Sequence, residues 1–465
     1  MAVACLGAPG LATAAAPRPQ VVGNHVVNSR TGQVFVMRGV NWPSFEYACH
    51  DGYGYSNTAN KRTVGPDAAG AALIVSWHIN TVRIPLNQDC WLGDDKLPKF
   101  GTRSGYRKAV RKWVSILHRA GLVVVLDLHW SGPRGVVADG QRAMADNRSD
   151  DFWRSVARTF RSDRSMVFDL FNEPYSRYGN NGLVFDPTWE CWRNGGCNAP
   201  RAHILKSLDG RTFVTIGMQA MVDAIRSTGA TQPIVISGRD FGNDLSGWLT
   251  HRPADGQLIA GFHNYSHQPC HTVACWDSTV APVLAQVPVV SGEFGENDCS
   301  SAFDDTFMAW ADQRDVGYLM WAWWVLRDRS CATHAVLADI KGRARSPNGT
   351  ALKAHLAALA PRLSLGGRKT QALDAAVEVR VRCSQSCHAR PTGRLRLGGH
   401  SFELEPISAE LQSNETRTIA LAIPSRARRA AKAALAKRHS VSARITVVVT
   451  AGSMSSRGRR SVTLR

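Results

Sequence analysis

Eight apolar runs, each followed by a stretch with the period of an amphipathic helix, limit what this chain can fold into. The runs are VFVMRGVNW (34–42), NTVRIPL (80–86), LVVVLDLHW (122–130), MVFDLFNEP (166–174), PIVISGRD (233–240), LIAGFHNYSH (258–267), VPVVSGEFG (287–295) and VGYLMWAWW (316–324). Between them lie RKAVRKWVSILHRAG, DDFWRSVARTF, MQAMVDAIRSTG and FDDTFMAWADQRD, and TALKAHLAALA closes the series. Near-continuous apolar strands separated by helices belong to a parallel sheet covered on both faces. Eight such units predict a (β/α)8 TIM barrel, and roughly 340 residues lies within its size range. No apolar run reaches the roughly 18–20 residues that span a bilayer.

After Leu359 the pattern changes. AAVEVRVRC, GRLRLGG, TIALAIPS, SARITVVVT and RSVTLR alternate apolar and polar residues, with one Ala/Arg-rich helix, SRARRAAKAALAKRH, among them. Period two predicts a small C-terminal antiparallel β-sandwich. We therefore divide the chain into 1–20, a leader remnant and linker, 21–360, the barrel, and 361–465, the sandwich. The net charge of +19 is uneven: residues 361–465 carry 20 Lys+Arg against 6 Asp+Glu, while the remaining 360 residues carry 36 against 31. Such a basic tail suits loose contact with anionic cell-surface polymers. No nucleic-acid motif accompanies it, and nucleic acid is not expected as a partner.

The opening MAVACLGAPGLATAAAPRP resembles the tail of a secretory signal peptide, though without a basic start. Apart from Cys5 there are ten cysteines, an even number that suits an oxidising compartment. Cys191 with Cys197, Cys270 with Cys275 and Cys383 with Cys387 are close in sequence. Cys49 with Cys90 and Cys299 with Cys331 would then close longer loops. Sequence does not fix these pairings. Zinc is the competing reading, but the chain has no CxxC pair. A secreted, extracellular monomer is expected.

In a (β/α)8 barrel the chemistry sits at the carboxyl ends of the strands. The polar residues there are Asn41, Arg83, His129, Glu173, Asp240, His263, Tyr265 and Glu293. Asp127 and Asp169 lie deeper and read as core hydrogen-bonding groups. Glu173 and Glu293 are the informative pair. Hydrolysis of a sugar–sugar bond needs one carboxyl group to protonate the departing oxygen and another to attack or to activate water. His129 and His263 as a metal site would need a third ligand that is not evident, so no metal and no cofactor is expected. The stretch from Tyr175 to Gly217, with Trp189, Trp192 and Cys191/Cys197, is expected to form a stapled loop walling a cleft.

The strings MRGVNW, WHINTVRIPL, GLVVVLDLHW, FDLFNEPY, GFHNYSH and VPVVSGEFGEND, with the Trp-rich eighth strand, resemble glycoside hydrolase family 5 from about Val21 to Leu359. EYACHDGYGY, LNQDCWLGD and CWDSTVAPV look like a cellulase-type branch of secreted bacterial enzymes. The resemblance implies a retaining endo-β-1,4-glucanase, with a β-mannanase or another β-glucanase as the alternative and a catalytically inactive sugar-binding barrel as a third reading. It implies that Glu173 is the acid/base and Glu293 the nucleophile, and that Asn172 binds the sugar 2-hydroxyl. Arg83 and Tyr265 would hold Glu293, and His129 and His263 would line the cleaved bond. A Trp at the end of the eighth strand would form the sugar platform. Of Trp321, Trp323 and Trp324, Trp323 is the expected one. The family often has Asn where Trp324 stands, and an indole where Phe241 stands. A β-linked polysaccharide or oligosaccharide is the implied partner.

Overall fold

The computed structural model describes residues 15–52, 54–55, 64–93, 103–325 and 334–465. They form two compact units, Ala15–Ala357 and Ala358–Arg465. Residues 1–14, including Cys5, lie outside the described residues, as does Cys331 of the fifth expected disulfide.

The first unit is a closed barrel of eight parallel strands. In chain order these are β1 (Arg38–Asn41), β2 (Thr81–Asn87), β3 (Val123–Trp130), β4 (Met166–Asp169), β5 (Ile234–Ser237), β6 (Leu258–Tyr265), β7 (Val289–Gly295) and β8 (Gly317–Met320). Each pairs with the next, and β8 pairs with β1. The helices follow as expected, among them α1 (Ala68–Ser76), α2 (Arg103–Arg119), α3 (Ser149–Phe160), α4 (Met218–Arg226), α5 (Ala302–Asp312) and α6 (Asn348–Leu359). Their apolar residues recur at three- and four-residue intervals, which puts them on one face. In α2 these are Tyr106, Val110, Trp113 and Leu117, all buried. In α3, Trp153 also donates its indole N–H to Leu170 O at 2.8 Å, tying the helix to the end of β4.

One end of the barrel is sealed by apolar packing. Val123, Val125, Val167, Val235, Ile259, Val290 and Leu319 form a buried cluster with Val26, Phe35 and Met37. Val26 comes from a hairpin, Pro19–Val22 with His25–Asn28, that precedes the barrel. The polar chemistry is confined to the opposite, carboxyl end.

After β4 the chain makes two hairpins, Arg177–Gly179 with Gly182–Phe185 and Gly195–Pro200 with Thr212–Ile216. A disulfide joins Cys191, in the helical turn between them, to Cys197 of the second, with Cα atoms 5.9 Å apart. Cys49–Cys90, Cys270–Cys275 and Cys383–Cys387 are also bonded, with Cα separations of 5.8, 5.4 and 6.4 Å. Among the described residues no helix is long and apolar enough to cross a membrane.

The second unit packs two mainly antiparallel sheets around one core. The smaller joins β9 (Leu363–Gly366), β11 (Ala376–Cys383) and β15 (Thr416–Ala422). The larger joins β10 (Thr370–Gln371), β17 (Met454–Leu464), β16 (Val441–Ala451), β12 (Cys387–Leu397) and β13 (His400–Glu403), with β14 (Ala409–Leu411) also on β12. Inward residues such as Val377, Val379, Leu395, Ile445 and Val447 are buried together. The Ala/Arg-rich helix is α7 (Ser425–Ala436), which turns Ala427 and Ala431 into that core.

Candidate active site

Arg83, near the middle of β2, organises the carboxyl end of the barrel. Its side chain is fully buried and every guanidinium nitrogen is engaged. Nε donates to Asp169 at 2.8 Å. Nη1 donates to Glu293 Oε1 at 2.8 Å and to Asn41 Oδ1 at 3.0 Å. Nη2 donates to Asn172 Oδ1 at 2.8 Å and lies 3.2 Å from Asp127. The planar fork of arginine suits this divergent set, whereas a lysine ammonium could not reach it. Burial works to lower its pKa, yet the three carboxylates around this fixed cation hold it above the ordinary arginine value. Burial pushes Asp127 and Asp169 up to about 7, although Arg83 pulls both down. The two aspartates read from sequence as core groups are therefore the floor of the site.

Glu293 owes its position to a bulge. Phe262 of β6 registers with Ser291 of β7 and the next residue, His263, with Glu293, so Gly292 is the extra residue. Bulges re-aim side chains beside functional sites. Here only glycine fits, because a Cβ at position 292 would lie 2.8 Å from His263 Nε2. Asn41 secures the bulge by donating to Gly292 O at 2.8 Å. Glu293 Oε2 then accepts from the Tyr265 hydroxyl at 2.7 Å, while Oε1 faces Arg83. Glu293 is 4% exposed.

Glu173, at 9% exposure, is held differently. Its Oε1 accepts from His263 Nδ1 at 2.8 Å and its Oε2 from Gln141 Nε2 at 2.8 Å. Burial raises its pKa above the ordinary glutamate value, and the Gln141 hydrogen bond works the other way. Burial pushes His263 down to about 4, so at neutral pH it donates as a neutral ring. It positions Glu173 without adding a cation that would strip its proton.

One oxygen of Glu173, one of Glu293 and a ring nitrogen of His263 lie within 4.8 Å of one another. The sequence did not suggest such a His–carboxylate cluster. The carboxylate oxygens and His263 Nδ1 are committed to the hydrogen bonds just described, while His263 Nε2 is buried without a hydrogen-bond partner among the described residues, and the fixed positive charge in the site is Arg83.

The expected residues converge, with two exceptions. His129, 8% exposed, donates Nδ1 to Asp127 at 2.7 Å and is held near pKa 4 by burial. Asp240 does not join the network. It sits in a left-handed turn (φ 47°) and accepts from Ser176 at 3.2 Å. Next to it, Phe241 stacks on Tyr175 at 4.9 Å.

Trp323 corrects the sequence reading. It is fully buried, packed edge-on against Trp77 with ring centres 4.7 Å apart, and offers no face to a ligand. Strand β8 ends at Met320, so alternation along WAWW no longer tells inside from outside. Trp321 and Trp324 are both partly exposed, and of the two it is Trp321 that lies parallel to the His129 ring, at 5.4 Å. Beyond His129 the aromatic surface continues with Trp130 and Tyr47, ring centres 5.0 Å apart.

Two further residues escaped the sequence reading. Gln141 lies in the loop after β3, where no periodicity marks it. Glu46, in the loop after β1, is fully buried, accepts from Ser44 N at 2.7 Å, and is pushed well up by burial.

A barrel with two buried carboxyl groups facing each other at the ends of its fourth and seventh strands defines a glycoside hydrolase. The family model for cellulases, glycosyl hydrolase family 5, matches residues 36–326, and the chain belongs to that family. A mannan endo-1,4-beta-mannosidase of Streptomyces lividans is 25% identical over 316 residues. That match covers 65% of this chain and 66% of the relative, so the chain spans just under two thirds of that protein's length. Among solved structures, a β-glucanase of Saccharophagus degradans in complex with cellotetraose superposes with a TM-score of 0.56 at 17% identity, over 75% of this chain and 95% of that one. The catalytic domain of a Thermobifida fusca endoglucanase gives 0.50 at 13% identity, over 73% and 97%. These structures share the barrel fold.

Proposed function

We propose that the chain is a retaining endo-β-1,4-glucanase working by double displacement. The observation that carries this reading is the approach of Glu173 and Glu293 oxygens to within 4.8 Å. Retaining enzymes hold their carboxyl groups about 5–5.5 Å apart, whereas inverting ones leave about 6.5–9.5 Å for a water.

Glu293 is the nucleophile. Arg83 and the Tyr265 hydroxyl each donate to one of its oxygens and so aim the carboxylate at the sugar's anomeric carbon. Glu173, whose burial favours the protonated form, gives its proton to the departing glycosidic oxygen as the C–O bond breaks. A glycosyl ester on Glu293 results. Glu173, now ionised, takes a proton from water, whose oxygen attacks the anomeric carbon and releases Glu293. Asn172 turns its carbonyl to Arg83, which leaves its NH2 to bind the 2-hydroxyl. Trp321 supplies the apolar plane for a sugar face.

Glucan is favoured by the resemblance to the cellulase family and by the fold shared with a glucanase that binds cellotetraose. Mannan is the second reading, favoured by the mannosidase relative. Purified protein should be assayed on soluble cellulose, mixed-linkage glucan, mannan and xylan with products sized. Mid-chain cleavage of the two glucans supports the proposal, while turnover of mannan alone replaces it. We also place the enzyme outside the cell, on the leader-like start and the cysteine content. The activity belongs to the barrel, with the unit after residue 360 in a separate role.

A further inference from the structure

The outer face of the larger sandwich sheet is made almost wholly of arginine, serine and threonine. On β12 the positions alternating with buried Ala389, Pro391, Gly393 and Leu395 carry Arg390, Thr392, Arg394 and Arg396. The ladder sets Arg394 opposite Arg444 of β16, and Thr446 of β16 opposite both Thr392 and Arg459 of β17. Arg390 and Arg457 flank Val448 in the same way. Six arginines thus share one face, and no outward position on the three strands holds an acid. Arg394 bonds to Glu403 of β13. The other five have no carboxylate partner among the described residues, and all five are exposed.

Like charges gathered on a sheet face repel one another unless a ligand supplies the counter-charge. We propose that this face binds a linear acidic polysaccharide. Its carboxylates pair with the guanidiniums, whose planar fork matches a carboxylate in two parallel hydrogen bonds. The intervening serine and threonine hydroxyls bond to sugar hydroxyls. Nucleic acid fits less well, because single strands are held by stacking on aromatic rings. Phe402 is the only Phe, Tyr or Trp after residue 361, and it packs against the sandwich core. The proposal does not depend on which glycan the barrel cleaves.

The test uses the full chain and three probes: polygalacturonate, single-stranded DNA, and a neutral soluble β-glucan. The face variant R444E/R457E/R459E is compared with R426E/R429E/K432E, an equal charge change on the exposed side of α7. Unaltered thermal unfolding of both establishes that they fold. We expect polygalacturonate binding that weakens with salt, falls roughly tenfold or more in the face variant (about 1.4 kcal/mol), and changes less than about threefold in the α7 variant. Equal losses in the two variants would show attraction by net charge alone and overturn the site. Tighter binding of DNA than of polygalacturonate would overturn the choice of ligand, and absence of polygalacturonate binding would overturn the proposal outright.

Discussion

Replacing Arg83 with methionine, similar in length but uncharged, should destabilise the barrel in a way that depends strongly on pH. The substitution removes hydrogen bonds to two amides, Asn41 and Asn172, and the cation shared by Asp127, Asp169 and Glu293. The amide bonds cost about 1 kcal/mol each at any pH. The carboxylate contribution depends on ionisation. Asp127 and Asp169 already stand at about 7, raised by burial and restrained by Arg83, so losing the cation raises them further. A carboxyl group raised in the folded state lends stability below its unfolded value near 4. That stability disappears as pH rises through the folded value. The extra deficit of the variant therefore opens above pH 7, by about 1.4 kcal/mol for every tenfold by which either acid is further weakened. The total should approach the roughly 3–5 kcal/mol typical of a broken buried pair. We expect a loss of about 3–5 kcal/mol at pH 8.5 and about 1–2 kcal/mol at pH 5.5. Urea unfolding followed by tryptophan fluorescence measures it cleanly, since all 14 Trp residues precede residue 358. A deficit independent of pH, or larger in acid, would refute the shared-cation account.

Three more outcomes follow from the site. Glu173→Gln and Glu293→Gln should each fold and lose at least about a thousandfold in kcat, and azide should restore Glu293→Gly, yielding a glycosyl azide of inverted configuration; near-normal turnover in either Gln variant contradicts the roles. Gln141→Leu removes a hydrogen bond that lowers the pKa of Glu173, so the alkaline limb of the kcat/KM profile, where the acid loses its proton, should move to higher pH; a move to lower pH would count against Glu173 as the acid. Trp321→Ala should reduce kcat/KM with little change in Tm, whereas Trp323→Ala should cost about 3–5 kcal/mol of stability; the reverse pattern would return the sugar platform to Trp323.

The barrel was legible because its strands are buried on both faces, so VVVLDLHW or IVIS reads as a strand without any alternation to decode. The catalytic ring was legible for a related reason. A charged residue at the end of an apolar run has to leave the core there, as Glu173 and Glu293 do, whereas Arg83 stays fully buried within β2. Legibility stopped where the chain left regular structure. Gln141 and Glu46 stand in loops, and only the closed barrel brings them to Glu173 and to the floor of the site. The choice among Trp321, Trp323 and Trp324 failed for want of a period beyond Met320. Asp240 stays outside the Arg83 network, because its backbone turns left-handed three residues past the end of β5 and its carboxylate meets Ser176.

The stereochemistry of the first product tests the central claim most directly. Hydrolysis of a β-linked oligosaccharide should be followed by proton NMR from the first seconds, before mutarotation mixes the anomers. With an oxygen of Glu173 within 4.8 Å of one of Glu293, the proposed mechanism inverts the same carbon twice, and the first product should be the β-anomer. An α-anomer appearing first would mean a single displacement by water, and would contradict the assignment of Glu293 as nucleophile.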